Sequence, residues 1–262
     1  MTAKASKVRR HLALDEVGST NTVAMEAARS GDPGPLWVTA ARQAAGRGRR
    51  ARTWVSERGN LYSSLLLINP SPQEALHNLP LVVSLGLCEA LSTLPSLASA
   101  EVSIKWPNDV LIGGRKCAGI LIESERLPDG RTAVVAGCGV NVANVPSDTP
   151  YPVTGLRQEG CGAEVDEVFA AVAASIEGAL AFWDRGGNFA AIRERWIANC
   201  AGIGAPCRVN LQDRTMVGTF VGLDREGRLL LKEDDGAIRL VSAGDVFPLG
   251  SKSSTPSIQP AG

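Results

Sequence analysis

The stretch Lys105-Trp106-Pro107-Asn108-Asp109-Val110-Leu111-Ile112-Gly113-Gly114-Arg115-Lys116-Cys117-Ala118-Gly119-Ile120-Leu121-Ile122-Glu123 decides how this chain folds. Two apolar runs, 109–112 and 117–123, flank a Gly-Gly pair, and glycine supplies the positive φ that a tight hairpin turn needs. An apolar run at 102–106 leads into them, and Pro128-Asp129-Gly130 turns the chain into another strand at 132–142. Strands joined by such short turns make a largely antiparallel sheet, not a series of alternating βαβ units.

Working outward toward the N-terminus, 61–68 reads as a buried strand and 36–41 as a short one. Residues 19–31, STNTVAMEAARSG, read as a helix. Ser19 or Asn21 can cap it, Val23, Ala24, Ala27 and Ala28 make one face, and Gly31 ends it. Ser71-Pro72-Gln73-Glu74 has capping-box spacing, which predicts a helix from there to Pro95 that Pro80 can split. Toward the C-terminus, 164–183 and 189–199 are amphipathic helices. From 206 to 249 the pattern changes to short strands with turns at Gln212-Asp213, 224–227 and 234–236, the signature of a small β-barrel. The fold expected is therefore α+β, with a separate C-terminal β module and a fraying polar tail.

Composition narrows the function classes. The 262 residues are 44% hydrophobic and 21% charged, which fits a globular core rather than a disordered chain. Lys and Arg balance Asp and Glu at 27 each, so a general nucleic-acid coat or a polybasic membrane binder is disfavoured. The most apolar run, 79–88, is about half the length of a membrane span. No signal-peptide core precedes the first helix, so the expected location is the cytoplasm. Six scattered cysteines without a C-x-x-C pair, and two histidines, predict reduced thiols and no structural zinc site.

That neutrality hides a local anomaly. Between Asp32 and Glu57 every formal charge is an arginine: Arg42, Arg47, Arg49, Arg50 and Arg52, most of them in Gly46-Arg47-Gly48-Arg49-Arg50-Ala51-Arg52. Glycines let the backbone approach an anion, and guanidinium forks match phosphate and carboxylate oxygens. A solvated surface loop and an RNA-binding Arg-Gly segment fit the same residues. Asn108 and Asp109 stand at the junction of two apolar strands, where an Asx turn is the plain alternative to a functional role. Lys116 opens an apolar strand and either aims its ammonium into a cleft or is simply exposed. Gly119 inside an apolar strand points to close approach of a ligand or another backbone, while Gly137 and Gly139 in Gly137-Cys138-Gly139-Val140-Asn141 leave one strand face bare, to admit a flat ligand or to allow a twist or bulge. P-loop, dinucleotide-fold, nucleophile-elbow and zincin motifs are all absent.

Taken in order, Ser19-Thr20-Asn21, Gln43, Gly46 to Arg50, Trp54, Lys105 to Asp109, Lys116 with Ala118-Gly119-Ile120-Leu121, and Gly137-x-Gly139-x-Asn141 resemble the biotin protein ligases. The likeness runs from about 12 to 199, and the C-terminal β segment is similar to that family's SH3-like domain. The resemblance implies a biotin/lipoate ligase-like catalytic domain at 12–203, with a mixed, largely antiparallel sheet flanked by helices. It also implies an SH3-like β-barrel at 204–250, between a short N-terminal segment, 1–11, and a disordered tail, 251–262. It implies that ATP, with Mg2+, activates biotin as biotinyl-5′-AMP, and that a lysine of a biotin carboxyl carrier protein then takes the biotin.

By the same resemblance, Ser19, Thr20, Asn21 and Gln43 hold the ureido ring, and Arg47, Gly48 and Arg49 order over biotin and the adenylate. Lys116 reaches the biotin carboxylate and α-phosphate. Gly119, Gly137, Gly139 and Asn141 line the floor, and Trp54 closes onto the adenylate. Gly46, Arg52 and Asn108 belong to the same ligand-binding set. Arg49 and Lys116 are the cations expected to bring carboxylate and α-phosphate together, and Asp109 to orient or deprotonate the acceptor lysine. No metal-ligating residues are assigned. Ala51 stands where a glycine is expected, which stiffens the loop. About a dozen residues precede the catalytic segment, so a DNA-binding domain, DNA and membranes are not expected partners; monomer and homodimer are both left open. A lipoate or octanoate ligase of the same superfamily and an RNA-binding module are the alternatives.

Overall fold

Gly113 and Gly114 take φ of 54° and 74°, the left-handed pair that a two-residue hairpin turn requires. They join β5 (Asp109–Ile112) to β6 (Arg115–Arg126) in the register Ile112 to Arg115. The computed structural model containing this hairpin describes residues 9–147 and 149–249. Segments 1–8 and 250–262, and with them most of the expected N-terminal segment and the whole expected tail, lie outside the described residues.

Around the hairpin stand β4 (Val102–Lys105), β7 (Thr132–Val140), β3 (Leu61–Ile68), β2 (Leu36–Gln43) and β1 (His11–Val17), in the order β1-β2-β3-β7-β6-β5-β4. All neighbours are antiparallel except β1 and β2, which are parallel and joined through α1 (Thr20–Arg29). The sheet is thus mixed and largely antiparallel, as expected, with one βαβ unit at its edge that the sequence reading did not contain. No buried position occurs in β1, so it carries no hydrophobic period to read.

Side chains alternate across the sheet, and the two faces differ. Leu66, Ala133 and Val135 pack with Val38 against Ala24, Met25 and Ala28 of α1. Leu65, Val134 and Ala136 face the larger cluster built with α2 (Leu79–Ser92), α3 (Val165–Trp183) and α4 (Phe189–Ala198). The segment Gln73–Ser92 is long and apolar enough to cross a membrane by length and composition. Within it Leu81, Val82, Val83, Ser84, Leu85, Gly86, Leu87 and Cys88 are all buried under α3, which makes it the core helix of this layer. Gly86 permits that packing, because a Cβ there would sit 2.9 Å from the Ile176 backbone.

The capping box expected at Ser71–Glu74 does not form. Gln73–Asn78 is a 3-10 turn, Ser71 Oγ donates to Pro72 O at 3.0 Å, and the α-helix starts at Leu79. Pro80 sits in its first turn, where a missing N–H costs nothing.

The C-terminal strands β8 (Pro206–Asn210), β9 (Thr215–Leu223), β10 (Leu229–Lys232), β11 (Ile238–Val241) and β12 (Asp245–Pro248) form the expected second, antiparallel sheet, in the order β11-β10-β9-β8-β12. Its interior residues Val209, Phe220 and Leu231 belong to the same apolar cluster as α2. Trp106 Nε1 donates to Gly227 O at 3.4 Å across the joint. The two sheets are therefore built on one continuous core.

Candidate active site

Register across the sheet lines up one residue from each of five strands: Lys105, Asp109, Gly119, Gly139 and Tyr62 are successive direct partners. Directly opposed residues share a face, and all five line a solvent-open cavity between the sheet, the 46–54 loop and β12.

The two glycines make its floor, and the flat group lying on them is Trp54. A Cβ on Gly139 would come within 2.6 Å of the indole Cε2, and one on Gly119 within 3.1 Å of Cζ3. The indole Nε1 is buried with no hydrogen-bond partner among the described residues. Lys116 Nζ lies 2.7 Å from Asp109 Oδ1, although Oδ1 lacks hydrogen-bond geometry, and 5.3 Å from the Trp54 ring. Asn108 donates to Ile120 O at 2.7 Å and accepts from Arg49 at 2.9 Å, so the Asx position is both a structural turn and a cavity wall.

At the other end, the first turn of α1 meets the sheet. Thr20 and Asn21 are buried. The Ser64 hydroxyl donates to Asn21 Oδ1 at 2.6 Å and lies 2.7 Å from Thr20 Oγ1. Asn21 Nδ2 donates to Glu123 at 2.7 Å, and Gln43 Oε1 accepts from Thr20 N at 2.8 Å. Gly137 is required here because a Cβ would overlap the Asn21 amide. Ser19 is at the helix N-cap, yet its side chain does not cap.

The arginine loop is a docked hairpin and not a free surface loop. Gly48 N donates to Arg52 O at 2.7 Å and Trp54 N to Gly46 O at 2.9 Å. Arg47 reaches Glu123 at 2.9 Å and Thr22 at 3.0 Å. The next three arginines turn to the C-terminal sheet. Arg52 meets both Asp245 oxygens at 2.8 Å, Arg50 one at 3.1 Å, and Arg49 lies 3.8 Å away while donating to Gly244 O at 3.1 Å. Burial lowers the Arg49 pKa, opposed by the charges of Asp245 and Asp109. Ala51 has φ of 56° and Arg50 of 55°, left-handed positions that favour glycine, so the residue flagged in sequence sits where strain is real.

Of the expected site residues, Ser19, Thr20, Asn21, Gln43, Arg47, Gly48, Arg49, Arg52, Trp54, Asn108, Asp109, Lys116, Gly119, Gly137 and Gly139 line the cavity. Gly46 and Asn141 are not among the lining residues. Gly46 closes the loop neck, where a Cβ would overlap Ser56 Oγ and Trp54 O. Asn141 donates to Thr154 O at 3.0 Å and holds the 154–156 segment. Sequence reasoning missed Ser64, Glu123, Tyr151, Asp245 and Phe247, and gave Lys105 no role. A charge ending an apolar strand was a signal for Glu123; the others carry none locally.

Residues 14–141 match the Biotin/lipoate A/B protein ligase family, and 202–247 match the Biotin protein ligase C terminal domain. The chain is 37% identical over 241 residues to a biotin–[acetyl-CoA-carboxylase] ligase of Paracoccus denitrificans, covering 89% of this chain and 98% of that one. A solved biotin protein ligase from Aquifex aeolicus, in complex with biotin and ATP, superimposes with a TM-score of 0.75 at 28% identity, covering 92% and 98% of the two chains. The Leishmania major enzyme in complex with biotinyl-5-AMP gives 0.63 at 26% identity, covering 89% and 99%.

Proposed function

We propose a residue-by-residue mechanism on one premise: the chain belongs to the biotin protein ligase family and is an ATP-dependent biotin–[carrier protein] ligase. The observation that carries the mechanism is the transverse row, which sets a paired lysine and carboxylate beside a two-glycine floor under an arginine loop.

In the first half-reaction a biotin carboxylate oxygen attacks the α-phosphorus of ATP. The new O–P bond forms as the α-phosphorus–oxygen bond to the β-phosphate breaks, and pyrophosphate leaves with the electron pair. Two anions must meet, so fixed cations in a poorly solvated site supply most of the catalysis. Lys116 and Arg49 take that role, converging from the strand and the loop. Ser19, Thr20, Asn21 and Gln43 hold the ureido group, whose donors and acceptors need partners once water is gone. Asn21 is pre-oriented by Ser64 and Glu123, so it presents fixed rather than rotating polar atoms. Arg47, Gly48 and Arg52 close the loop, Asn108 holds Arg49, and Gly119, Gly137 and Gly139 leave room for Trp54 and the ligand.

Mg2+ bound with the nucleotide would supply neutralising charge at the departing phosphates. No group of three His, Cys, Asp or Glu occurs among the described residues. Asp109, its Oδ1 ion-paired with Lys116 at 2.7 Å, is the cavity residue that would hold such an ion, which needs only one or two carboxylates beside substrate phosphates. In the second half-reaction the carrier lysine amine attacks the acyl carbon, the carbon–oxygen bond to AMP breaks, and Asp109 orients the amine and accepts its proton.

The reading takes 12–203 as the catalytic unit, although β1 already starts at His11, and 204–250 as the second module, whose Asn210, Gly244 and Asp245 brace the loop. The compartment is the cytoplasm, a reading supported by six cysteines that are all free thiols. The docking of the arginines on Asp245 argues against an RNA-binding surface. Biotin-dependent ATP–pyrophosphate exchange, followed by a streptavidin blot of a carrier domain, tests the mechanism. Both signals are expected; lipoate transfer without biotin transfer overturns it.

A further inference from the structure

The large sheet has one closed edge and one open edge. At β4, Ile104 N donates to Asn199 O at 2.8 Å and Ala201 N to Ile104 O at 2.9 Å, so a later segment covers that side. At the other edge, no strand or bridge among the described residues pairs with the outer side of β1. Natural edges are commonly blunted by proline, lysine or a bulge. Strand β1 has none of the three, and its register against β2 keeps one offset from His11–Trp37 to Val17–Gln43. Leu12, in the middle of this edge, is 40% exposed.

The order of side chains names the partner. Arg10-His11-Leu12-Ala13-Leu14-Asp15-Glu16 runs from basic residues through leucine, alanine and leucine to carboxylates. Turned end for end about Ala13, the segment meets itself with basic residues opposite acidic ones. Trp37 N donates to Arg10 O at 3.0 Å, so by the alternation of a ladder the even-numbered residues turn their amides to β2, and His11, Ala13 and Asp15 turn theirs outward. Those three would exchange hydrogen bonds across a two-fold axis at Ala13, His11 with the partner's Asp15 and Ala13 with its own copy. On the α1 face Arg10 then opposes the partner's Glu16, and Leu12 the partner's Leu14. Sliding the register by two residues either way sets a leucine opposite Arg10 or Glu16. Within the chain Arg10 meets Asp32 and Glu16 meets Arg42, both at 2.7 Å, so the pairing extends each into a row of four alternating charges. We propose that β1 is a self-complementary docking strand, along which two copies of this chain pair antiparallel and join their seven-stranded sheets into one. The inference stands on this edge and not on the ligase reading.

Sedimentation velocity of the full chain at low salt, over about 5–200 µM, spans the range of a modest interface. Wild type should move from one chain mass toward two as concentration rises, and less so at high salt. Ala13→Pro removes the outward N–H at the two-fold axis, a change an edge strand tolerates on its solvent side, and should hold the chain at one mass throughout. Glu16→Arg and Arg10→Glu each set like charges opposite one another at both ends, and each should weaken association about tenfold or more. An equimolar mixture of those two variants should return to within about threefold of wild-type affinity, because every end then meets its opposite. Circular dichroism checks that each variant is folded, and the charge variants carry the test if Ala13→Pro is not. A wild type that stays at one mass at the highest concentration, a dimer that survives in folded Ala13→Pro, or a mixture no tighter than its components overturns the proposal.

Discussion

Replacing Asp245 with Asn removes the charge that gathers three arginines. The carboxylate is 18% exposed, and Arg49, Arg50 and Arg52 are 22%, 29% and 47% exposed. Exposed ion pairs are worth at most ~1 kcal/mol, while losing one partner of a buried pair costs ~3–5 kcal/mol. This intermediate site, with one guanidinium nitrogen shared between both carboxylate oxygens and two weaker contacts, falls near ~2 kcal/mol, about a 30-fold shift toward an undocked loop. Trypsin reads that shift, since Arg49, Arg50 and Arg52 are its targets only when the loop opens. At low salt, cleavage within 46–54 should be about 30-fold faster in Asp245→Asn, and high salt should bring wild type toward the variant by screening the pairs. Asn keeps the side-chain shape, so the melting temperature should move by only a few degrees. Equal cleavage rates at low salt in the two proteins would refute the docking argument.

Gly139→Val would place side-chain carbon inside the Trp54 indole; exchange activity should fall below detection while circular dichroism retains the wild-type spectrum. Lys116→Ala and Arg49→Ala should each slow adenylation by about 10²–10³-fold without unfolding, by analogy with lost transition-state donors; unchanged exchange in both removes them from the mechanism. Burial pushes the thiols of Cys88, Cys117 and Cys138 up to about 12. Thiolate is the reactive form, so at pH 8 only about one in 10⁴ molecules carries it at each site. These three should react with a disulfide reagent only after denaturant is added; rapid labelling of the native protein would contradict their burial.

What could be read in advance was local. The hairpin at Gly113-Gly114, the bare strand faces at Gly119 and Gly139, and the arginine cluster each announce themselves within a few residues. Strand β1 did not, because its buried face is missing. Asp245 did not, because its partners lie almost two hundred residues away and nothing beside it marks the contact. Ser64 reads as one more small residue in an apolar strand until the register sets it under Asn21. The flat group expected on the glycine floor was a ligand; an indole from the chain itself occupies the floor. Capping-box spacing at Ser71–Glu74 promised an α-helix that the chain delays to Leu79.

The transverse row also governs which length changes the protein tolerates. Each strand contributes one residue to it, and strand parity decides whether that residue meets the cavity or the α2 layer. A residue inserted within β6 would send Gly119 to the apolar side and bring a neighbour's side chain onto the floor, so chemistry and core fail together. The same insertion at the 113–114 or 128–130 turns leaves parity intact. Drift in length among related chains should therefore collect in the turns, while each strand between them keeps its count.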